Sequence, residues 1–357
     1  MKILIIGLGY AGNRYRRTFE HIATSTGLPL SLAYVGRRQK ATTELPYFDS
    51  VERALQVFEP DIVVVSVNDH SHAPVLKQLA GYQGFVLCEK PLVTPGDDLD
   101  ELLGALDQVG GFALDLVERY SDATRQLRDW VGRHDWQLVR ASFHWGKDRI
   151  NDYRPTCGVT SEVIHALDLV GWICPRAGQL QLGGVLGVRS DFSISGAEVL
   201  DTVQLTASLG EARVTGYSSF VNIVRQRTVD FSFVDRDARL IHARLVFDTP
   251  RWDHDQLRIW TRGANGAEEL LHEFATAPDE PGLDTLHKLS RLCRQVVRAV
   301  ALKEPPRQPF AGLDTAVALQ RLLNDLDTHA QTPAPARYVH GETRVLLAED
   351  SDLESLG

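Results

Sequence analysis

The amino-acid sequence predicts an α/β protein: an N-terminal doubly wound parallel sheet, followed by an α+β domain with a large, mostly antiparallel open-faced sheet. Three observations lead there. Between Met1 and about Asp115, short β-branched runs alternate with helical segments, the pattern of βαβ units. One of these runs, Ile62-Val63-Val64-Val65, is continuously apolar, as in a strand buried on both faces. From Gln179 to Ile259 the texture changes to successive strands joined by polar turns at Gly210-Glu211 and Asp235-Arg236-Asp237, the signature of an antiparallel sheet.

In chain order, strands are expected over Lys2 to Ile6, Leu30 to Val35, Tyr47 to Asp49, Asp61 to Val67 and Gly84 to Cys88. A helix over Asp97 to Gln108 and a strand over Phe112 to Val117 complete the first domain. A helix over Ser121 to Gly132 then leads to a strand over Leu138 to Trp145, an irregular segment over Gly146 to Cys157, and a helix over Thr160 to Trp172. After the antiparallel region, two amphipathic helices close the fold, over Leu286 to Leu302 and Leu313 to His329. The domain reading is therefore 1–120, 121–330, and a tail over 331–357 that is Pro-rich, then acidic, and expected to be partly disordered or an arm onto a partner.

Composition narrows the function classes. Hydrophobic residues make up 43% and charged residues 24% of the 357, ordinary globular usage, and no apolar run approaches the roughly 18 residues of a membrane span. Met1-Lys2 leads straight into Ile3-Leu4-Ile5-Ile6-Gly7, too short a run for a signal peptide, so the expected location is cytoplasmic. A net charge of -9 argues against nucleic acid as a partner. Cys88, Cys157, Cys174 and Cys293 are scattered without a CxxC pair, which suits reduced thiols and no metal site.

The first motif follows the first strand. Gly7-Leu8-Gly9-Tyr10-Ala11-Gly12 opens a helix carrying Arg14, Tyr15 and Phe19. Glycines at these positions permit a tight turn, close approach of the backbone to a pyrophosphate, and close helix–sheet packing, while the helix N-terminus favours the anion. The segment reads as the cofactor-binding turn of a Rossmann domain. At the end of the second strand, where NAD-preferring sites place a carboxylate on the ribose hydroxyls, stands Gly36-Arg37-Arg38. Two guanidinium groups suit the additional 2′-phosphate of NADP, which is therefore expected over NAD.

Three further segments resemble the Gfo/Idh/MocA family of NAD(P)-dependent oxidoreductases. Asp69-His70-Ser71-His72 precedes Glu89-Lys90-Pro91 at the spacing of that family's Asp-x-x-His and Glu-Lys-Pro segments, the latter following the fifth strand. Ser161-Glu162-Val163-Ile164-His165-Ala166-Leu167-Asp168 is similar to the family's helical Asp-x-x-x-His-x-x-Asp, with His165 and Asp168 matching its last two positions. Ser161 stands where the family's first Asp sits, and Glu162 lies one residue on, roughly 100° around the helix. Either Ser161 serves as a polar orienter or Glu162 replaces the carboxylate. The resemblance implies Lys90 and His165 as catalytic residues, with Glu162 and Ser161 as candidates beside them, and places Asn68, His72, Glu89 and Lys90 on the cofactor side.

The chemistry fits these residue types. Hydride transfer needs a proton donor or acceptor at the substrate oxygen. Lys90, at the carboxyl end of a parallel strand, suits polarisation of that oxygen, and the imidazole of His165 suits general acid–base work because it titrates near neutrality. Ser161 and Asp168 fall about one turn before and after His165, where both would share its face and orient the ring. The segment from Trp145 through Lys147, Arg149 and Arg154 is dense in basic and aromatic groups and reads as a substrate-binding loop, with Asp168 as a further candidate and Tyr217 and Arg225 as weaker ones. Arg119 reads as a structural ion-pair residue. The resemblance thus implies an NADP-dependent oxidoreductase for a secondary alcohol or ketone of a sugar, sugar derivative or cyclic polyol. The alternatives are reduction of an imine or non-sugar carbonyl, and a non-catalytic NADP-sensing binding protein. The open-faced sheet suggests a homo-oligomer.

Overall fold

Apolar β-branched strands place themselves at the centre of the N-terminal sheet. β1 (Lys2–Ile6) and β4 (Ile62–Val65) pair in parallel register, Ile3 with Ile62 and Ile6 with Val65, and both are buried from end to end apart from Lys2. The computed structural model describes residues 1–150, 154–276, 278 and 282–338. With β2 (Ser31–Val35), β3 (Tyr47–Phe48), β5 (Phe85–Cys88) and β6 (Gly111–Leu114), the six strands run parallel in the order β3-β2-β1-β4-β5-β6. The order reverses between β1 and β4, so their carboxyl ends flank the crevice where open α/β sheets bind ligands. Crossovers are provided by α1 (Tyr10–Thr26), α2 (Val51–Phe58), α3 (His72–Lys77) and α4 (Leu99–Leu106). α1 buries Tyr15, Thr18, Phe19 and Ile22 on one stripe and stops at Gly27, which takes the left-handed conformation.

The second unit is a sheet with helices on one side. Its eight strands, in the order β14-β13-β12-β11-β7-β10-β9-β8, comprise β7 (Gln137–Asp148), β8 (Leu180–Ser190), β9 (Val199–Leu209), β10 (Ala212–Ser219), β11 (Val221–Val234), β12 (Leu240–Val246), β13 (Gln256–Arg262) and β14 (Glu268–Ala275). All pairs are antiparallel except β7 with β10. α5 (Asp122–His134) packs on β12 and β13, and α6 (Thr160–Ile173) on β7 and β10. Alternation along the strands follows from this: Ala141, Phe143 and Trp145 are buried while Ser142 and His144 are partly exposed.

The structure revises four boundaries. β7 continues to Asp148, so the irregular segment begins after it; Asn151, Asp152 and Tyr153 lie outside the described residues. The sheet does not end at Ile259 but runs to Ala275 through a hairpin closed by Gly263 and Ala267. α7 (His287–Leu302) and α8 (Leu313–His329) form as expected, but Leu289–Arg321 groups with residues 1–115, and 116–288 groups with the described residues from Leu322 on. In the first unit, Leu114 N–H accordingly donates to Ala311 O at 2.8 Å, and the Phe85 and Phe310 rings meet edge-on at 5.4 Å. Finally, the described start of the tail is ordered against this chain's own sheet. Residues 331–336 run parallel to the edge strand β8, with Gln331 N–H bonded to Val185 O and Ala336 N–H to Arg189 O, satisfying groups that an edge leaves open. Residues 339–357, including the acidic stretch, lie outside the described residues. Among the described residues no helix is long and apolar enough to cross a membrane.

Gly216 on β10 faces Phe143 on β7, and a Cβ there would sit 1.9 Å from the ring. Gly216→Ala is therefore expected to lower the unfolding free energy by about 1–3 kcal/mol through overpacking, read by urea denaturation; unchanged stability would mean that the Phe143 ring has room to move.

Candidate active site

In the first unit, each motif glycine has its own physical reason. Gly7 holds φ at +93°, and a Cβ would lie 2.8 Å from Val67 Cγ1. Gly12 brings α1 so close to the end of β1 that a Cβ would lie 2.1 Å from Gly7 O. Gly9, the N-cap of α1, is exposed and has nothing within 4 Å of a notional Cβ. Tight turn, tight packing and open access thus fall on three different residues. Tyr10 and Ala11 begin the helix, whose first turn carries no acid, so its amide end is free of competing negative charge.

Arg37 and Arg38 sit exposed in the bend after β2. Lys40 lies near Arg38: partial burial and then the Arg38 guanidinium lower its ammonium pKa. Asn68, also exposed, accepts from Ser71 Oγ at 3.2 Å and from its backbone N–H at 2.9 Å, which shapes the turn into α3. His72 is a correction. It is 1% exposed, with Nδ1 2.7 Å from Pro91 O and Nε2 3.1 Å from Val67 O, so its ring ties the Glu-Lys-Pro segment to the end of β4 and offers no surface to a cofactor. Glu89 and Lys90 are half-buried beyond β5, and Glu89 Oε2 accepts the Lys90 N–H at 3.3 Å. Beneath them lies a pair that the motif reading missed: Tyr15 Oη donates to Asp115 Oδ2 at 2.6 Å. The available signal was Asp115 itself, a carboxylate at the carboxyl end of a buried parallel strand.

In the second unit, α6 sets Ser161, Glu162, His165 and Asp168 against the sheet, all buried. Glu162 is fully buried and is a hub. Its Oε1 accepts from Trp145 Nε1 and Arg227 Nη2, both at 2.9 Å, and its Oε2 lies 2.5 Å from Lys147 Nζ. The offset around the helix aims this carboxylate at the strands, so it holds two cations in place where a catalytic carboxylate was anticipated. Trp145 is likewise corrected: it is wholly buried, and its ring stacks on His165 at 5.9 Å. Ser161 Oγ donates back to Gly158 O at 2.9 Å. Asp168 was expected to orient His165 or contact substrate, but both its oxygens face Arg119, Oδ2 accepting Nε at 2.7 Å and Oδ1 meeting Nη2, with the pair buried. Arg119 also lies over the Trp172 ring at 5.8 Å.

Tyr217 is the clearest displacement. It is paired with His144, ring to ring at 4.6 Å, and β-strand alternation puts both on the face opposite Trp145 and His165. There it lines a cavity of about 510 Å³ with Ser142, Gln204, Thr206, Thr215 and Gln331. Of the loop candidates, Lys147 lies over the Phe220 ring at 5.5 Å, while Arg149, which bonds Phe220 O through its N–H, and Arg154 are half-buried. Arg225 stacks on Trp252 at 4.1 Å, and Arg227 lies between Trp145 and Trp252 at 5.3 and 5.2 Å.

Arg227, Trp252 and the ion network behind them escaped the motif reading. Arg227 Nη1 meets Asp248 Oδ2 at 2.5 Å, and Lys288 Nζ meets Glu118 Oε2 at 2.6 Å and Asp248 Oδ1 at 3.1 Å. Burial, aided by Asp248 and Asp255, pushes the Glu118 carboxyl up to about 7 against the pull of Lys288 and Arg227. For Asp248 burial is outweighed by Lys288 and Arg227, which hold it well below the usual range. Strand parity was the missed signal: Arg227 occupies the same inward register as Val229, Phe231 and Phe233.

A six-stranded parallel sheet whose strand order reverses between β1 and β4, with a glycine turn at the end of β1, is the architecture of a Rossmann-type α/β domain. Residues 1–113 match the family model described as "Oxidoreductase family, NAD-binding Rossmann fold" (GFO_IDH_MocA), so the first unit is similar to the nucleotide-binding domain of that family. Inositol 2-dehydrogenase from Salmonella typhimurium is 19% identical over 182 residues, 48% of this chain and 54% of that protein, so the match spans about half the length of the curated relative. Among solved structures, a 3-ketoreductase variant from Actinomadura kijaniata, in complex with TDP-benzene and NADP, aligns with TM-score 0.69 at 13% identity over 95% of this chain and 99% of its own. UDP-N-acetylglucosamine 3-dehydrogenase from Acidithiobacillus ferrooxidans aligns with TM-score 0.65 at 17% identity over 92% and 96%. At such identities these two show a shared fold.

Asp168→Ala would leave the Arg119 guanidinium buried without its bidentate partner. A loss of about 3–5 kcal/mol in unfolding free energy is expected by chemical denaturation, and a loss below 1 kcal/mol would show that the pair is not the buried structural bridge assigned to it.

Proposed function

We propose that the protein is an NADP-dependent oxidoreductase acting on a secondary alcohol or ketone of a sugar, sugar derivative or cyclic polyol. The observation that carries the reading is the cradle at Gly7, Gly9 and Gly12, with Arg37 and Arg38 exposed after β2, and Lys40 near Arg38, where a carboxylate would select NAD. Its donor set fits the dinucleotide: open backbone at Gly9 and the α1 amide end for the pyrophosphate, guanidinium groups for the 2′-phosphate. When bound, the nicotinamide ring supplies the hydride acceptor or donor. Lys90 is suited to polarise a substrate oxygen, and His165, supported on the Trp145 ring, to serve as the general acid or base. Lys147, held by Glu162, binds a polar or anionic substituent of the substrate. The sugar class is supported by the family and by what its relatives are named for.

Reduction of an imine or non-sugar carbonyl is the second reading, favoured by one feature: Ser161 stands in for the family acid while Glu162 is engaged by two cations. A cytoplasmic location is in keeping with four unbridged thiols, and self-association through the uncovered sheet face completes the proposal.

Fluorescence titration with NADPH and NADH, in wild type and an Arg37→Ala/Arg38→Ala variant, tests the cofactor. NADPH is expected to bind at least about tenfold tighter, about 1.4 kcal/mol, with that margin lost in the variant; equal affinities would overturn the preference. Lys90→Met is expected to abolish turnover in a polyol and keto-sugar panel with NADPH binding largely retained, and near-wild-type turnover would refute its role.

A further inference from the structure

The Glu89-Lys90 segment rests on a buried carboxyl group that neither hydride transfer nor nucleotide binding requires. Asp115 is 5% exposed at the end of β6, tied to β5 by its own N–H donating to Cys88 O at 2.7 Å. Its Oδ2 accepts the Tyr15 hydroxyl at 2.6 Å, while its Oδ1 is buried with no donor on it among the described residues, and the Glu89 carboxyl lies within hydrogen-bonding reach of the Asp115 carboxyl. The groups that face it are Tyr15 and Arg14 from α1, Glu89 and Cys88 from β5 and its end, and Cys293 from α7. Only Arg14 in that set is a cation. An orphaned carboxylate oxygen in such a place would be costly, and a carboxylic acid there relieves the cost, since a buried group neutralises before it tolerates an uncompensated charge.

We propose that Asp115, with Tyr15, is a positioning residue for the Glu89-Lys90 segment, holding a proton between that segment and α1 beneath the bound dinucleotide. The proposal rests on the cofactor reading above. Burial first, and then Glu89, push the Asp115 carboxyl well above the usual carboxylate range, against the pull of the Tyr15 hydroxyl and Arg14. Tyr15 is itself pushed far up by burial and by Asp115, so it remains a donor at working pH. Loss of the Asp115 proton sets a second negative charge against Glu89, whose Oε2 accepts the Lys90 N–H, and adds negative potential beside an anionic ligand.

The direction with pH follows from linkage. An unfolded aspartate releases its proton near about pH 3.9, whereas the folded chain keeps it to a much higher pH. Folding is therefore favoured at lower pH within this window and weakens as pH rises towards the folded-state titration of Asp115, while nucleotide binding weakens where the folded chain itself releases that proton.

Two readouts test this on the full chain: NADPH dissociation constants by fluorescence between about pH 6 and pH 9, and unfolding midpoints without nucleotide over the same range. Wild-type affinity is expected to weaken about fivefold across the range, and in Asp115→Asn, which keeps the shape but cannot ionise, the affinity profile should flatten and the unfolding profile should become less steep, the slope left near pH 7 belonging to Glu118. Tyr15→Phe removes the hydroxyl that favours the charged form, so its decline should move to higher pH. That variant carries the test should Asp115→Asn fail to fold. An unchanged slope in Asp115→Asn, or a shift to lower pH in Tyr15→Phe, overturns the proposal. If wild type binds neither dinucleotide at any pH, the cofactor reading fails and the positioning role falls with it, while a less steep unfolding profile in Asp115→Asn would still locate the proton.

Discussion

The second unit depends on one buried carboxylate. Glu162 is fully enclosed between α6 and the sheet, and such a charge persists in a folded chain only where cations and donors converge on it. Trp145, Lys147 and Arg227 do so from three points on two paired strands. Because Trp145 is held by its indole N–H, its ring is fixed in orientation, and His165 stacks on a fixed surface. Because Lys147 is held by its ammonium, its reach is fixed as well. The geometry of the candidate catalytic and substrate-binding groups is thus a consequence of compensating one desolvated charge.

The network continues beyond what Glu162 needs. Arg227 is shared with Asp248, which is shared with Lys288, which meets Glu118 just after the end of the first unit's last strand. Such a chain brackets α6, the β11 strand, the loop after β12 and the start of α7 in one set of mutual constraints. Its carboxylates are not equivalent: Asp248, between two cations, stays charged, whereas Glu118, with more acids around it, titrates about neutrality. Packing of opposite charges in low dielectric makes the arrangement specific, since moving any one member strands the others.

The first unit solves a different problem by steric means. Its ligand end is defined by what is absent: a Cβ at Gly12 would overlap the Gly7 carbonyl, and open space lies beside Gly9. Electrostatics enters only at its margins, in the arginine pair after β2 and in the acid cluster under Glu89. His72 braces the same end of the sheet, its buried ring joining the carboxyl end of β4 to the Glu-Lys-Pro segment.

Local pattern alone determined much of this protein. β1 and α8 carry the predicted bounds, α6 differs by one residue, and the glycine turn falls where a strand hands over to a helix, because periodicity and glycine geometry act over a few residues. The family segments located Lys90, Glu89 and the α6 residues. Tertiary structure decided what each side chain faces. Glu162 and Asp168 are acids on one helix, yet one gathers cations from strands and the other is captured by Arg119; Tyr217 fell to the opposite sheet face; His72 turned inward; and Leu289–Arg321 joined the first unit although it follows the second in sequence. Sequence spacing conveys which residues share an element. Burial, the partner that neutralises a charge, and the side of a sheet on which a strand's residues fall are set by contacts between segments many tens of residues apart, and those exist only once the chain has folded.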